Sequence, residues 1–352
     1  MSPYRRLKVT PMKAIAFDLS QPISESNSLI EIDIPTPKAI GRDVLVKVDA
    51  ISVNPVDAKI RMRARPEKGE PKILGYDAVG TVIEAGDSCE LFKQGDKVYY
   101  AGDMNRQGSN AEYQLVDERL VGKAPQSIDS AQAAALPLTS LTAFEMLFDR
   151  LQIDTKRAFQ TKDNTLLITA AAGGVGSVMI QLVKALCPEV KIIATASRDE
   201  SAKWCKQMGA DFVINHKLGI AKEFERIGIN GVSHIASISH THEYFDDFIN
   251  VIEPQGKICL IDDPATALNL QALKQKSVSL HWELMFTRSL FQTDDMIRQH
   301  HILNQVTHLI DEGKIKSTMG QHLGNISLSN LKKAHQLIET NTSIGKLVLE
   351  GF

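Results

Sequence analysis

Between residues 12 and 130, the apolar positions form short β-branched or alternating runs, separated by turn dipeptides such as Gly86-Asp87 and Gly95-Asp96. This pattern is typical of strands joined by tight turns. The predicted strands are Met12–Phe17, Asp43–Ala50, Ala78–Ala85 and Lys97–Tyr100. From Ala131 to Leu151 the apolar residues instead recur at helical spacing, with an interruption at Pro137. A β-rich region therefore precedes a long helical stretch.

Beyond residue 164, apolar runs of strand length alternate with helical patterns such as Val175–Leu186 and Ser201–Met208. The predicted strands are Thr165–Ala170, Lys191–Ala196, Phe212–Asn215, Val232–Ile238, Lys257–Ile261 and Val278–Trp282. Strands alternating with helices pair in parallel through right-handed crossovers, so this region predicts a doubly wound α/β sheet. The tail Asp294–Asn341 is helical in pattern, and Lys346–Leu349 predicts a strand whose partner lies in the first domain.

Length and composition narrow the possible classes of protein. A chain of 352 residues is too long for one ordinary core, so two domains are expected. The 43% hydrophobic and 23% charged residues fit a globular chain, and a net charge of −2 gives no reason to expect nucleic acid or an anionic membrane as partner. No apolar run reaches the ~20 residues that span a bilayer. We interpret Met1–Pro11, which lacks the apolar core of a signal peptide, as an extra leader. The four scattered cysteines are then expected to be reduced thiols in a cytoplasmic protein.

A glycine-rich loop lies where the first strand of this alternation turns into a helix. Small residues allow a sharp turn and let a pyrophosphate approach the unpaired N–H groups at the helix start. The last glycine also lets the helix pack close to the strand. The alternative is a tight turn without a ligand. Because strand, loop, helix and next strand follow in the right order and spacing, we predict a dinucleotide site. Its residues are Ala170, Gly173, Gly174, Val175 and Gly176.

The end of the next strand indicates which dinucleotide binds. Ser197 and Arg198 lie there, where NAD enzymes usually carry an acidic residue for the ribose 2′-hydroxyl. An arginine instead accommodates a 2′-phosphate. Ser197 offers a hydroxyl, Arg198 a bidentate fork, and Lys203 a further positive charge one helical turn on. We therefore predict NADPH; the alternative is that Arg198 is a solvated loop residue.

Several further motifs occur in a fixed order and carry a family resemblance. They are VNPVDAKIR (Val53–Arg61), LGYDAVG (Leu74–Gly80), GDKVYYAG (Gly95–Gly102), GSNAEY (Gly108–Tyr113), AALPLTSLTAFE (Ala134–Glu145) and the terminal IGKLVLEGF. With the glycine loop, they make the chain resemble a medium-chain dehydrogenase/reductase of the quinone-oxidoreductase branch, and within it the zinc-type alcohol dehydrogenase-like proteins. The resemblance implies a GroES-like, partly open β-barrel domain (residues 12–135 and 290–352) and a Rossmann domain (residues 136–289), with the active site in the cleft between them.

The resemblance breaks where zinc-dependent members bind their catalytic metal. Those members have Cys, His and a second Cys at positions that here hold Asn54, Tyr76 and Leu138. A catalytic zinc needs about three N, S or O side-chain ligands and an open position, and this set does not supply them. The four-cysteine structural zinc lobe is also missing, since no cysteine lies between Cys89 and Cys187. We therefore predict that no zinc binds.

Hydride transfer without a metal requires an acceptor activated by conjugation, such as a quinone or an α,β-unsaturated carbonyl compound. By its match to the family, Asn54 is the first candidate for a hydrogen-bond donor beside the nicotinamide and the substrate carbonyl, or else a turn residue before Pro55. Lys59 stands where many quinone reductases carry Tyr, and it either stabilises an enolate and donates a proton or is simply solvated. Tyr76 is expected to face the cleft as a second proton donor.

The resemblance also assigns two residues to the cofactor: Thr142, beside the nicotinamide or its ribose, and Lys346, in the family's Gly-Lys pair before the last strand. It implies a homodimer joined through the outer strand Val278–Trp282. The leading hypothesis is thus a zinc-independent, NADPH-dependent reductase of small-molecule quinones or α,β-unsaturated carbonyl compounds. The alternatives are a zinc-dependent alcohol dehydrogenase and a non-catalytic NADPH-binding sensor.

Overall fold

The computed structural model describes residues 11–153 and 164–352, so the predicted leader lies outside the described residues except for Pro11. The first part of the chain is built of strands, one α-helix and a single 3-10 turn at Glu118–Leu120. In chain order the strands and the α-helix are β1 (Pro11–Phe17), β2 (Ile30–Pro35), β3 (Asp43–Val53), α1 (Pro55–Arg63), β4 (Lys72–Ile73), β5 (Ala78–Ala85), β6 (Lys97–Tyr100), β7 (Tyr113–Asp117) and β8 (Val121–Lys123). All four predicted strands of this region are confirmed.

The helical stretch that follows is divided where the sequence predicts. Helix α2 (Ser130–Ala134) ends before Pro137, and α3 (Pro137–Phe144) begins with that proline. Proline suits a first helical position because the N–H it lacks would have no partner there. A π-helical segment, Glu145–Arg150, continues α3.

The second part of the chain forms the predicted doubly wound sheet. Its elements are β9 (Thr165–Ile168), α4 (Gly174–Leu186), β10 (Lys191–Thr195), α5 (Asp199–Met208), β11 (Phe212–Ile214), α6 (Ile220–Ile227), β12 (Val232–Ser237), α7 (Thr241–Val251), β13 (Ile252–Leu260) and β14 (Ser279–Trp282). Within the described residues the strand order is β11-β10-β9-β12-β13-β14, and every neighbouring pair is parallel. The loops after these strands therefore meet at one edge of the sheet, where ligands bind in such folds.

The chain then returns to the first domain. The remaining elements are α8 (Thr287–Phe291), α9 (Arg298–Asp311), β15 (Met319–His322), α10 (Leu328–Glu339) and β16 (Lys346–Glu350). Strand β16 pairs antiparallel with β3, which confirms its predicted partner. The prediction of a helical tail is wrong at β15, because this short and mostly exposed strand has no apolar alternation to reveal it.

The larger sheet of the first domain is centred on β3, which pairs with β5, β7 and β16. Its order, β15-β16-β3-β5-β6-β8, joins strands from both ends of the chain, while β2, β1 and β4 form a separate small sheet. The domain boundaries proposed from the sequence stay a prediction. No helix of the described residues is long and apolar enough to cross a bilayer.

Candidate active site

The glycine loop joins β9 to α4 as predicted. Gly173 is the N-cap of α4, with no side-chain cap, and the predicted loop residues Ala170, Gly173, Gly174 and Val175 are partly exposed. The first N–H groups of a helix have no intrahelical acceptors and favour an anion. A Cβ on Gly176 would lie 2.5 Å from the Cα of Ala171, so only glycine allows this close packing of helix and strand. The loop therefore fits a dinucleotide pyrophosphate.

The residues predicted to bind the 2′-phosphate lie together after β10. Ser197 is partly buried, and the exposed Arg198 donates a hydrogen bond of 2.6 Å from its guanidinium to the carbonyl oxygen of Thr342. Lys203 is exposed on α5. Arg198 thus bridges the Rossmann sheet and the segment that leads into β16, and its guanidinium is held at the protein surface.

A buried polar group lies where β3, β5 and β16 come together. The carboxylate of Asp77 accepts hydrogen bonds from Ser52 Oγ (2.8 Å), Asn54 Nδ2 (2.7 Å) and Leu138 N (2.7 Å). The Lys346 ammonium lies 3.0 Å from the same carboxylate and also donates to Asn54 Oδ1. Asp77 and Asn54 are at most 1% exposed and Lys346 is 3% exposed. We call Asn54, Asp77 and Lys346 the buried triad.

Beside the triad, the carboxyl of Asp57 is fully buried. It accepts hydrogen bonds from the backbone N–H groups of Asn54 (2.8 Å) and Gly75 (3.0 Å), so it fixes the start of α1 against the turn before β5. Burial raises the pKa of Asp57 to about 7, although these hydrogen bonds and Lys346 oppose the rise. Asp57 is part of the motif VNPVDAKIR, but nothing in that motif indicated that the pKa of this carboxyl is raised.

Tyr76 lies in an apolar environment next to this group. It is fully buried, and its ring meets that of Phe286 edge to face with centroids 5.3 Å apart. Burial, together with Asp57 and Asp103, raises the pKa of the Tyr76 phenol well above its usual range, so the hydroxyl stays protonated. Among the described residues this hydroxyl has no hydrogen-bond partner. A buried donor of this kind is costly unless a ligand satisfies it.

Two other predicted site residues, Lys59 and Thr142, make no hydrogen bond or ion pair with the buried triad. The half-exposed Lys59 ammonium is 3.4 Å from Asp263, which follows β13, and Arg63 is 2.9 Å from the same carboxylate. These ion pairs join α1 to the edge of the Rossmann sheet. The hydroxyl of Thr142 is buried and donates to the carbonyl oxygen of Leu138 within α3. The geometry thus offers no direct support for a proton-donating Lys59.

A second group of charged side chains, only partly buried, was not indicated by any sequence pattern. Glu145 pairs with Arg288 (2.7 Å) and Glu283 with Arg150 (2.7 Å). Burial and the neighbouring Glu283 carboxylate raise the pKa of Glu145 to about 9. We call the whole group the Arg288 cluster; its members are Glu145, Asp149, Arg150, Glu283, Arg288, Asp295 and Arg298. With Glu145 protonated, the three arginines of the Arg288 cluster are balanced by its three remaining carboxylates.

Asn54, Tyr76 and Leu138 stand at the positions where zinc-dependent relatives carry their zinc ligands, and their side chains are poor zinc donors. The amide of Asn54 is engaged by Lys346 and Asp77, Leu138 has no donor in its side chain, and the Tyr76 phenol is held protonated. A zinc ion would also meet the Lys346 ammonium at this place. Across residues 11–153 and 164–352, no group of three or more His, Cys, Asp or Glu side chains could hold a metal ion. This donor set does not fit a catalytic zinc.

A largely antiparallel sheet joined to a parallel α/β sheet with a glycine loop, and a buried polar group that contacts the start of α3, form the arrangement of a two-domain dehydrogenase. Two family models match the chain: the alcohol dehydrogenase GroES-like domain over residues 41–126 and the zinc-binding dehydrogenase over residues 208–349. A zinc-type alcohol dehydrogenase-like protein of Staphylococcus epidermidis is 42% identical over 338 residues, covering 96% of this chain and 99% of that protein.

Two further relatives extend the comparison. The crystal structure of a Rhizobium etli CFN 42 protein, assigned as a candidate zinc-dependent alcohol dehydrogenase, superposes with a TM-score of 0.93 at 44% identity, covering 97% of this chain and 99% of that one. The chloroplastic NADPH-dependent alkenal/one oxidoreductase of Arabidopsis thaliana is 29% identical, over 91% of this chain and 75% of that protein. The chain belongs to the zinc-type alcohol dehydrogenase-like proteins of the medium-chain dehydrogenase/reductase superfamily. It is therefore an oxidoreductase that uses a nicotinamide cofactor and acts on small molecules.

Proposed function

We propose that this protein is a zinc-independent, NADPH-dependent reductase of α,β-unsaturated carbonyl compounds or quinones. The observation that carries the proposal is the Tyr76 hydroxyl, which is buried, protonated and without a partner among the described residues. It occupies the position where zinc enzymes of the superfamily carry a metal ligand. A neutral hydrogen-bond donor at this place suits an acceptor whose own conjugation delocalises the incoming charge.

NADPH supplies the hydride when bound. The residues that would hold its pyrophosphate are those of the glycine loop and the first turn of α4, and Ser197 and Arg198 would hold the 2′-phosphate. No carboxylate occupies position 197 or 198 to repel that phosphate. The name of the Arabidopsis relative, which specifies NADPH and an alkenal or alkenone, agrees with this choice of cofactor and substrate.

The chemistry assigned to the chain's own side chains is hydrogen bonding and exclusion of water. The Tyr76 hydroxyl would donate to the substrate oxygen as it gains negative charge, and Asn54 would offer the second hydrogen of Nδ2, the first being donated to Asp77. The rings of Tyr76 and Phe286 would form an apolar wall against the substrate. A low local dielectric strengthens hydrogen bonds to the developing charge.

The proposal is tested by following NADPH oxidation with a panel of enals, enones, quinones and saturated aldehydes. We expect turnover of the conjugated acceptors only. Tyr76→Phe should lower kcat for an enone by roughly 10²–10³-fold, the usual effect of losing one oriented donor.

Tyr100→Phe is the matched control, because the Tyr100 hydroxyl is also buried without a partner among the described residues. Tyr100 is placed in β6 and has no part in the proposed chemistry, so its variant should keep wild-type turnover. Tight NADPH binding without turnover of any conjugated acceptor would favour the sensor hypothesis. Equal losses in the two variants would remove Tyr76 from the reaction.

A further inference from the structure

Lys346 connects the glycine loop to the buried triad. The N–H of Gly345 donates to the carbonyl oxygen of Ala172 (2.8 Å), so β16 begins directly against the loop. The Lys346 stem then passes Gly174: a Cβ added there would lie 2.6 Å from Lys346 Cδ and 2.9 Å from Thr139 Cγ2. Glycine at position 174 therefore leaves the space through which the lysine reaches inward.

The ammonium at the end of this stem is fully engaged by protein acceptors. It donates to Val53 O (3.2 Å), Asp77 Oδ2 (3.0 Å) and Asn54 Oδ1. A lysine ammonium has three hydrogens, so these three acceptors use all of its donors. Lys346 consequently has no hydrogen left for a cofactor phosphate or a substrate oxygen, although the sequence assigned it to the cofactor.

These contacts fix the orientation of the Asn54 amide. Its oxygen faces the Lys346 ammonium, and its nitrogen donates to the Asp77 carboxylate at 2.7 Å. A flipped amide would place its NH2 group against the ammonium and its oxygen against the carboxylate, and both contacts would be repulsive. Asp77 cannot move aside, because Ser52 Oγ and Leu138 N also hold it.

We propose that Lys346 is a positioning residue that fixes the Asn54 amide, so that the free hydrogen of Nδ2 points to the reacting groups, and that it is not a cofactor ligand. The role of this hydrogen rests on the proposed function, whereas the orientation of the amide does not. Gly174 takes part indirectly, because any side chain at that position would displace the lysine.

The kinetic test is a cycle of Asn54→Ala, Lys346→Met and the double variant, with NADPH affinity measured separately. Lys346→Met should lower kcat by roughly 10²-fold at saturating NADPH, as expected for one misdirected donor, and change the Kd for NADPH less than about threefold. If Lys346 acts through Asn54, the double variant is no slower than Asn54→Ala alone. Lys333→Met, at an exposed lysine of α10, is the control and should behave as wild type.

A Kd for NADPH raised at least tenfold with unchanged kcat would make Lys346 a cofactor ligand and overturn the proposal. The proposal would also be overturned if the kcat losses of the two single variants multiplied in the double variant. A second readout is independent of turnover: the side-chain amide signals of Asn54 in a ¹⁵N NMR spectrum, assigned with Asn54→Ala.

In Lys346→Met the Asn54 amide signals should shift and lose protection from hydrogen exchange; unchanged signals would refute the positioning role. If Lys346→Met does not fold, the same signals are read in Gly174→Ala, whose methyl group displaces the lysine stem. A wild-type protein that reduces no conjugated acceptor would refute the proposed function and leave the amide test intact. The two failures are therefore distinguishable.

Discussion

Replacing both members of the ion pair between Lys346 and Asp77 should destabilise the protein less than the sum of the two single replacements. The charged atoms are 3.0 Å apart, and the two side chains are 4% and 0% exposed. At an effective dielectric constant of about 20 their attraction is about 5.5 kcal/mol, and desolvation of both groups offsets part of it. Lys346→Met leaves the Asp77 carboxylate buried without a cation, so we expect the free energy of unfolding to fall by about 3–5 kcal/mol.

The combination Lys346→Met with Asp77→Asn removes both charges and keeps a side chain that can bond to Ser52 and Leu138. We expect a coupling energy between the two substitutions of about 2–3 kcal/mol. The assay is equilibrium unfolding in urea, followed by far-ultraviolet circular dichroism, for wild type, both single variants and the double variant. The pair Lys97–Asp49, at 2.6 Å but 48% and 30% exposed, is the matched control.

The cycle Lys97→Met with Asp49→Asn should give a coupling energy of no more than about 1 kcal/mol, as is usual for exposed pairs. If the coupling energy of the Lys346 pair is as small as that of the control pair, the argument from burial is refuted. The triad would then be a loosely held group, and the fixed orientation of Asn54 would lose its physical basis.

Three further predictions concern the cofactor, the pH dependence and the metal. Arg198→Asp should place a carboxylate beside the 2′-phosphate and lower the ratio of NADPH to NADH affinity at least tenfold in fluorescence titrations; an unchanged ratio would mean that Arg198 does not touch the phosphate. For Glu145, folded protein keeps a proton up to about pH 9 that unfolded protein releases near pH 4.5, so stability falls as pH rises through this window. Glu145→Gln lacks this fall, so its free energy of unfolding relative to wild type should increase between about pH 5 and pH 9. In urea titrations the increase should be at least ~1.4 kcal/mol, the value of one pKa unit. A difference between variant and wild type that does not change with pH would contradict the raised pKa. Protein purified without a metal-affinity tag should contain substoichiometric zinc by mass spectrometry and keep its activity in EDTA; stoichiometric zinc lost together with activity would contradict the reading of Asn54, Tyr76 and Leu138.

Much of the fold could be predicted because its signals are local. Alternation of apolar strands with helical patterns identified all six strands of the parallel sheet, and the position of Pro137 divided the helical stretch correctly. Strands β2, β4, β7 and β8 were not predicted: β4 and β8 have only two and three residues, and β2 has no fully buried residue. Strand β15 was missed because three of its four residues are exposed. Sequence patterns reveal a strand only when one of its faces is regularly buried.

The candidate site was only partly predictable, because its contacts join distant parts of the chain. Asn54 and Tyr76 were found through motifs, but the lysine that holds the Asn54 amide comes from position 346. The Gly-Lys motif predicted that Lys346 lies near the cofactor loop, and the stem of the side chain does lie against Gly174. The motif could not reveal which groups the ammonium contacts. The contact of Lys59 was hidden for the same reason, since its partner Asp263 follows β13, about 200 residues later in the chain.

The first domain and the Rossmann sheet are joined by two kinds of contact that respond differently to salt. The N–H of Gly345, the residue before β16, donates to the carbonyl oxygen of Ala172 in the loop. Salt does not screen a hydrogen bond between two backbone groups. The ion pairs of Lys59 and Arg63 with Asp263 are exposed, and added salt screens them. Raising the ionic strength should therefore weaken the attachment of α1 to the Rossmann sheet at Asp263 and leave the attachment of Gly345 to the dinucleotide loop intact.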